Sequence, residues 1–572
     1  MAMLSEVMIA RKRSNWPNIP SDRIVQILAS VFVCAIILLP MGVILQQALS
    51  VEGLDGTKEL GLGNFARAFQ TPVFLDAVTN TILISTGTTL LASLVGVSLA
   101  WFVTRTDLPG RRLLHVCNTI PFYLSPFIGA IAWTYLTAPR VGLLNVAVNS
   151  FLGVSANPFN IYSLFGIMWV QGIFFAPVVY IMTCAALQQM DPSLEESSRS
   201  CGRGIVYTML RVTLPLAMPS ILSSVILTFV ASAGEFGVPL TIGVPRNIET
   251  VSTQIFEVLQ RAQPDYGMAA TLGSLLGAAT IVCVLFYRHM ILRRNYITLT
   301  GKGFRPSTLR LGSWRWLGFA LNIAFCLVAV VLPLVALALQ SFQNIWLGSF
   351  KWAQFTLSNY TYVIFENEVT IRGFENSLIL ALVGATVGVL LSVIIAQTIY
   401  RSRLPGQRLI DVVTSLPVGI PGIVLSMGFL LISLRSPLYG TLVVMLIAYL
   451  SRDLPLGLRS VSGVMLSVSP ELEEASRSCG AAYSRTFRRV TLPLLRPGIL
   501  AGWVLLFVLF LRELPMSILL WKPGTEVTSV ALWQLLEHAT SGKAAAYAML
   551  QSFVILGVVV IFQFATKTSR EK

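Results

Sequence analysis

Leu194 to Pro219 reads LEESSRSCGRGIVYTMLRVTLPLAMP, and Leu472 to Pro497 reads LEEASRSCGAAYSRTFRRVTLPLLRP. From Glu195 to Pro219 the two copies align without gaps at an offset of 278, and 15 of 25 positions are identical. Each copy is a polar, basic segment between two long apolar runs. A duplication of this kind marks two equivalent modules. A polar segment kept twice inside a hydrophobic chain reads as a docking surface rather than a solvent-filling loop.

The local chemistry predicts two short helices per copy. Asp191-Pro192 and Ser469-Pro470 place a capping side chain before a proline at the first helical position. Glu195 and Glu196, like Glu473 and Glu474, then fall in the early turns, where the helix dipole favours negative charge. Glu195 with Arg199 and Glu473 with Arg477 have the spacing of i,i+4 ion pairs. Gly202 and Gly480 suit a helix end that needs positive φ. A second helical piece follows, and Leu214-Pro215 or Leu492-Pro493 leads into the next apolar run.

The surrounding chain is that of a membrane protein. It has 572 residues, 55% hydrophobic and 12% charged, about half the charge of a soluble domain. Twelve apolar runs have roughly the length needed to cross the hydrocarbon layer. They lie near 24–49, 81–103, 116–137, 161–187, 219–240 and 268–292, then 315–339, 377–399, 410–434, 438–459, 498–521 and 545–566. The first is too long for a signal-peptide core and lacks a small-residue cleavage site, so it reads as an uncleaved span. The net charge of +15 is distributed by side. With residue 1 cytoplasmic, inside segments hold 29 Lys/Arg against 10 outside, the bias that sets membrane orientation. Nucleic-acid binding is then unnecessary to explain the charge.

The halves repeat again at Arg105–Leu113 (RTDLPGRRL) and Arg401–Leu409 (RSRLPGQRL), both on the cytoplasmic side. With an even number of spans per half, the repeats run in the same orientation. The expected organisation is a cytoplasmic segment at 1–23, a first module at 24–292, a basic linker at 293–314 read as a solvated tether, a second module at 315–566 and a tail at 567–572. The seven cysteines show no disulfide or metal-ligand spacing. There is no GxxxxGK[ST] phosphate loop, no HExxH and no Gly-x-Ser-x-Gly, so no catalytic, metal or cofactor site is expected.

Charges inside the spans are few and costly. Glu235 and Glu513 are related by the same offset of 278, each near the outer end of the span that follows a docking segment. Arg512 adjoins Glu513, and Arg452-Asp453 sits in the tenth span. Structural pairing between helices competes here with a place on a translocation pathway for Glu235, Asp453, Arg512 and Glu513.

The duplicated segments resemble the "EAA" loop of ABC-importer permeases. The second copy keeps Glu-Glu-Ala, and the first has Glu-Glu-Ser at Ser197. The whole chain resembles a fused, two-module permease of that superfamily. Glu-Phe-Gly-Val-Pro at 235–239 and Arg-Glu-Leu-Pro at 512–515 liken it most to ferric-iron permeases. The resemblance implies an all-α integral membrane fold of about twelve helices in two tandem six-helix modules, like a type I importer. It places the chain in a bacterial inner membrane with both termini cytoplasmic.

It further implies two cytoplasmic ATPase subunits that use ATP, and an extracytoplasmic binding protein that delivers substrate. The coupling residues would be Glu195, Glu196, Ser197, Gly202, Leu214 and Pro215, with Glu473, Glu474, Ala475, Gly480, Leu492 and Pro493. The glutamates would be recognised in the ATPase cleft. Thiamine, phosphonate and polyamine permeases share the pattern. A secondary transporter would have no need of duplicated acidic-Gly loops, and a membrane enzyme would need a polar catalytic cluster that the chain does not supply.

Overall fold

The computed structural model describes residues 21–52, 58–153, 157–293, 308–345, 354–402 and 405–568. Residues 1–20 of the expected segment 1–23, 294–307 of the linker 293–314 and 569–572 of the tail 567–572 lie outside these ranges. The described residues form helices throughout, apart from one two-stranded hairpin, Ser50–Glu52 with Lys58–Leu60. Among the described residues, nine helices are long and apolar enough to span a bilayer, and two bent pairs raise this to eleven.

The departures from twelve straight spans have physical causes. Segment 116–137 is two helices, Arg111–Tyr123 and Pro126–Thr137, bent by 98°. Segment 410–434 is likewise broken between Gln407–Gly419 and Gly422–Ser433, bent by 108°. Ser125-Pro126 and Ile420-Pro421 stand at the breaks, where proline holds the preceding residue extended. The tenth segment forms a 26-residue helix, Leu442–Ser467. It carries Arg452, Asp453 and Arg459 and is not among the apolar spans. The fifth and eleventh spans begin earlier than their apolar runs suggest, because the second helical piece of each duplicated segment continues into them, giving Ile205–Ala233 and Ser484–Leu511.

That continuity depends on a local adjustment. Met209–Thr213 and Phe487–Thr491 are single π-type turns, immediately before Leu214-Pro215 and Leu492-Pro493. Proline has no N–H for the ladder and its ring crowds the preceding turn. A wider turn lets the helix pass through it. The same device recurs at Leu327–Val331 before Leu332-Pro333.

The first helix of each half packs against the other half. Ser21–Leu49 lies on Tyr266–Arg293 and also on Gly422–Ser433 and Gln407–Ser415 of the second half. Trp314–Cys326 lies on Arg111–Tyr123, and Leu332–Ser341 on Pro126–Thr137 and Ser541–Thr568. A buried hydrogen bond from Asn118 Nδ2 to Asn322 Oδ1 (2.6 Å) fastens one such crossing. Leucines such as Leu90 and Leu94 face outward, as a surface solvated by lipid requires. The linker is more than a tether where it is described: Leu309 is buried and pairs with the first Leu-Pro-Gly turn, donating from its amide to Arg105 O (2.9 Å) and accepting from Asp107 N (3.1 Å).

At the crossing of the first helix, a Cβ on Gly428 would come within 2.6 Å of Pro40 O, whereas one on Gly463 meets nothing within 4 Å. Gly428→Ala is therefore expected to destabilise by about 1–3 kcal/mol and lower the thermal midpoint of the purified chain. Gly463→Ala is expected to leave it unchanged or raise it slightly, by up to about 1 kcal/mol.

Candidate functional site

The duplicated segments form matching helix–turn–helix units. Ser193–Ser200 and Glu471–Ser478 are eight-residue helices. Asp191 Oδ1 accepts from Ser193 N (2.9 Å) and Ser469 Oγ from Glu471 N (3.3 Å), while the N-caps are Pro192 and Pro470, one residue later than the sequence suggests. Gly202 and Gly480 have φ of +76° and +82°. Their amides donate to Arg199 O and Arg477 O, and the next amides reach back to Ser198 O and Ser476 O. This pair of reversed bonds closes each helix and turns the chain sharply.

The two glutamates of each copy have opposite environments. Glu196, Ser197, Glu474 and Ala475 are exposed, whereas Glu195 and Glu473 are buried. Glu195 faces Arg105 (Nε to Oε1, 3.5 Å) instead of the Arg199 suggested by spacing, and both side chains are almost wholly enclosed. Glu473 faces Arg401 in the same way at 3.9 Å. Thr213 Oγ1 donates to Glu195 Oε1 (2.7 Å), and Thr491 Oγ1 to Glu473 Oε1 (3.0 Å). Those threonines end the π-type turns. Each arginine also holds the chain entering the unit, Arg105 at Met190 O and Arg401 at Met465 O and Val468 O. A second hydroxyl pair, Ser198 with Thr208 (3.0 Å) and Ser476 with Thr486 (2.9 Å), ties the two short helices together.

Arg105 and Arg401 are the first residues of the Arg-x-x-Leu-Pro-Gly repeats, so the two repeated motifs of the sequence meet at one buried ion pair. The available signal was that Arg, Glu and Thr are identical in both halves. Leu214, Leu492 and Pro493 are half-buried beneath the units, and Pro215 is exposed.

The charged residues of the spans gather at the seam between the halves, more than one helix length from these units. Glu235 and Glu513 lie just beyond the ends of Leu214–Ala233 and Leu492–Leu511. Arg452 Nη1 bonds both oxygens of Glu513 (2.8 and 2.9 Å). The guanidinium lies over Gly422, where a Cβ would come within 2.5 Å of it. Arg512 Nη1 donates to Phe122 O (2.7 Å) and Leu124 O (2.6 Å), the free carbonyls at the break of the first half. The break of the second half sits against the first: a Cβ on Gly234 would meet Pro421 at 2.8 Å. Glu235 is half-buried, accepts from Gly237 N (3.2 Å) and feels the fields of Arg452 and Arg512. Asp453 is buried, and its Oδ2 has no hydrogen-bond partner among the described residues. Arg452, which sequence reading treated only as a neighbour of Asp453, is the cation that holds Glu513. Among the described residues no three His, Cys, Asp or Glu side chains converge as a metal site.

The structure thus presents two repeated helical units, each holding a glutamate against an arginine of the Leu-Pro-Gly repeat. Residues 92–295 and 388–568 match the family described as "Binding-protein-dependent transport system inner membrane component". The chain belongs to that family. It is thus the non-catalytic, multi-pass membrane subunit of an ABC importer fed by a binding protein. It is 25% identical over 526 residues to the ferric transport system permease protein FbpB of Actinobacillus pleuropneumoniae, covering 89% of this chain and 73% of that one. It is 26% identical to the Fe(3+)-transport system permease protein FbpB 2 of Haemophilus influenzae, covering 89% and 94%. The sulfate transport system permease protein CysT of Salmonella typhimurium is 26% identical over 44% of this chain and 85% of its own length.

Removing Arg105 alone strands a buried carboxylate. Arg105→Met is expected to cost about 3–5 kcal/mol, seen as a lowered thermal midpoint of the purified permease. Arg105→Met combined with Glu195→Gln is expected to recover most of that loss.

Proposed function

We propose that the chain carries ferric iron, released by an extracytoplasmic binding protein, across a bacterial inner membrane, driven by two cytoplasmic ATPase subunits. The observation that carries the coupling part is the pair of exposed acidic faces, Glu196–Ser197 and Glu474–Ala475, each mounted on a helix tied to its bundle by a buried ion pair. Each face docks one ATPase subunit. ATP closes those subunits, and the clamps pass the displacement to the spans, so that the cavity between halves alternates between outward and inward access. Both termini are cytoplasmic in this reading, which the positive-inside bias supports. The chain binds no cofactor of its own.

Recognition by the ATPase falls to Glu196 and Glu474. Glu195 and Glu473 have their carboxylates turned inward, so their role is to hold the helix. Iron as substrate is supported by the ferric permeases that match along most of the chain. Glu235, Asp453, Arg512 and Glu513 line the outer end of the pathway at the seam. An oxyanion is the second reading. Arg452 is about 29% exposed there, and the relatives also include sulfate, molybdenum and 2-aminoethylphosphonate permeases that match single halves.

Glu474→Lys is expected to leave the permease folded while lowering co-purification of the ATPase and substrate-stimulated ATP hydrolysis several-fold. Glu473→Lys is expected to lower the thermal midpoint of the isolated chain as well. Equal folding defects in both would contradict the division of roles. Radiolabelled iron uptake in cells lacking the chain is expected to return with wild type and not with Glu474→Lys. Uptake unchanged by deletion would exclude iron, and sulfate and phosphonate uptake would be measured next.

A further inference from the structure

A cavity of about 600 Å³ opens beside the first coupling unit, walled by Trp101, Phe102, Tyr207, Met209, Leu311 and Trp314. Three parts of the chain build it: the last turns of Pro72–Arg105, the second piece of the coupling unit, and the linker with the start of Trp314–Cys326. The linker wall is fixed, because Leu309 pairs with residues 105 and 107 and Leu311 N donates to Asp107 Oδ1 (2.9 Å). This wall belongs to the first module alone, since the linker enters only there.

The rim is cationic and aromatic. Arg203, next to Gly204 of the cavity wall, stacks over Tyr207 at 4.8 Å. Arg310 and Arg315 flank Leu311 and Trp314, and all three arginines are exposed. Trp314 and Trp316 are 70% and 56% exposed, the amphipathic rings found where hydrocarbon meets headgroups. The nearest carboxylate along the linker contact, Asp107, is turned to the Leu311 amide. An apolar slot whose lining residues Gly204, Leu311 and Trp314 are each adjoined in sequence by an exposed arginine complements a molecule with an acyl chain and a net negative head.

We propose that this groove binds one anionic phospholipid, its acyl chain against Trp101 and Phe102 and its phosphate among Arg203, Arg310 and Arg315. The lipid would press on Gly204–Met209 and so bear on one coupling unit and not the other. A zwitterionic head brings a cation into the same rim and is disfavoured.

The test is native mass spectrometry of the full-length purified chain, titrated with equal phosphatidylglycerol and phosphatidylcholine. Wild type is expected to retain the anionic lipid about tenfold more than the zwitterionic one. Arg203→Ala/Arg310→Ala/Arg315→Ala is expected to bring the two near parity. Ser98→Phe, which fills the slot from Pro72–Arg105 and leaves the arginines in place, is expected to lower retention of the anionic lipid. Arg488→Ala/Arg489→Ala, at the same membrane edge of the second module, is expected to keep the wild-type preference. Equal retention of both lipids by wild type would overturn the proposal. So would an undiminished preference in the triple or slot-filled variant, or a loss as large in the Arg488/Arg489 control.

Discussion

A carboxylate taken out of water must be paired and hydrogen-bonded or it neutralises. Glu195 and Glu473 answer that demand with a facing arginine, Arg105 at 3.5 Å or Arg401 at 3.9 Å, and one threonine hydroxyl each, while Oε2 of Glu195 has no hydrogen-bond partner among the described residues. The rest of each helix–turn–helix unit depends on this constraint. The arginine comes from the C-terminal end of a long span, Pro72–Arg105 or Glu368–Tyr400, and the threonine from a π-type turn that a following proline makes necessary. Three segments far apart in sequence are thereby locked at one point. Breaking such a pair by removing one partner is costly, although the intact pair adds little net stability. Its value lies in fixing where the short helix sits.

A helix fixed in this way can transmit force. Eight residues span only about 12 Å, too little to bury a face of their own, and the exposed Glu196 and Glu474 would otherwise sit on mobile loops. The seam obeys a related logic. The two helix breaks leave carbonyls without partners, and Arg512 of the second half satisfies those of the first. Arg452 closes on Glu513 within the second half. The first half has no arginine at the corresponding places: Gly234 stands opposite Arg512 and Phe174 opposite Arg452 at the offset of 278. The halves share a fold, yet their seam is asymmetric. That asymmetry leaves Glu235 as the half-exposed acid.

Much of this was legible in the sequence. The duplication located both helix–turn–helix units and their glycine turns, because those depend on neighbours within a few residues. The apolar runs located the helical segments but not all their ends: the fifth and eleventh spans begin 14 residues earlier than expected, at Ile205 and Ser484. What local reading missed was set by distant contacts. Spacing offered Arg199 to Glu195, and the fold supplied Arg105, because a buried carboxylate is settled by tertiary position. The breaks at Ser125-Pro126 and Ile420-Pro421 fall inside runs apolar enough to pass as single spans. The buried Leu309, bridged to residues 105–107, sits in a stretch whose basic composition reads as solvated tether. Arg105, Arg401, Thr213 and Thr491 were identical between halves, and asking why would have pointed to the clamp.

In the proposed mechanism each coupling unit moves as one body with its own module and against the other. Cys201 and Cys479 are free, exposed and equivalent, so spin labels can be placed there with the remaining cysteines replaced. A third label at Arg112→Cys reports on the helix following the clamp. Pulsed electron resonance on the reconstituted transporter should show the 201–479 distance changing when ATP is trapped, while the 201–112 distance stays constant. A fixed 201–479 distance, or a change confined to 201–112, would contradict the account.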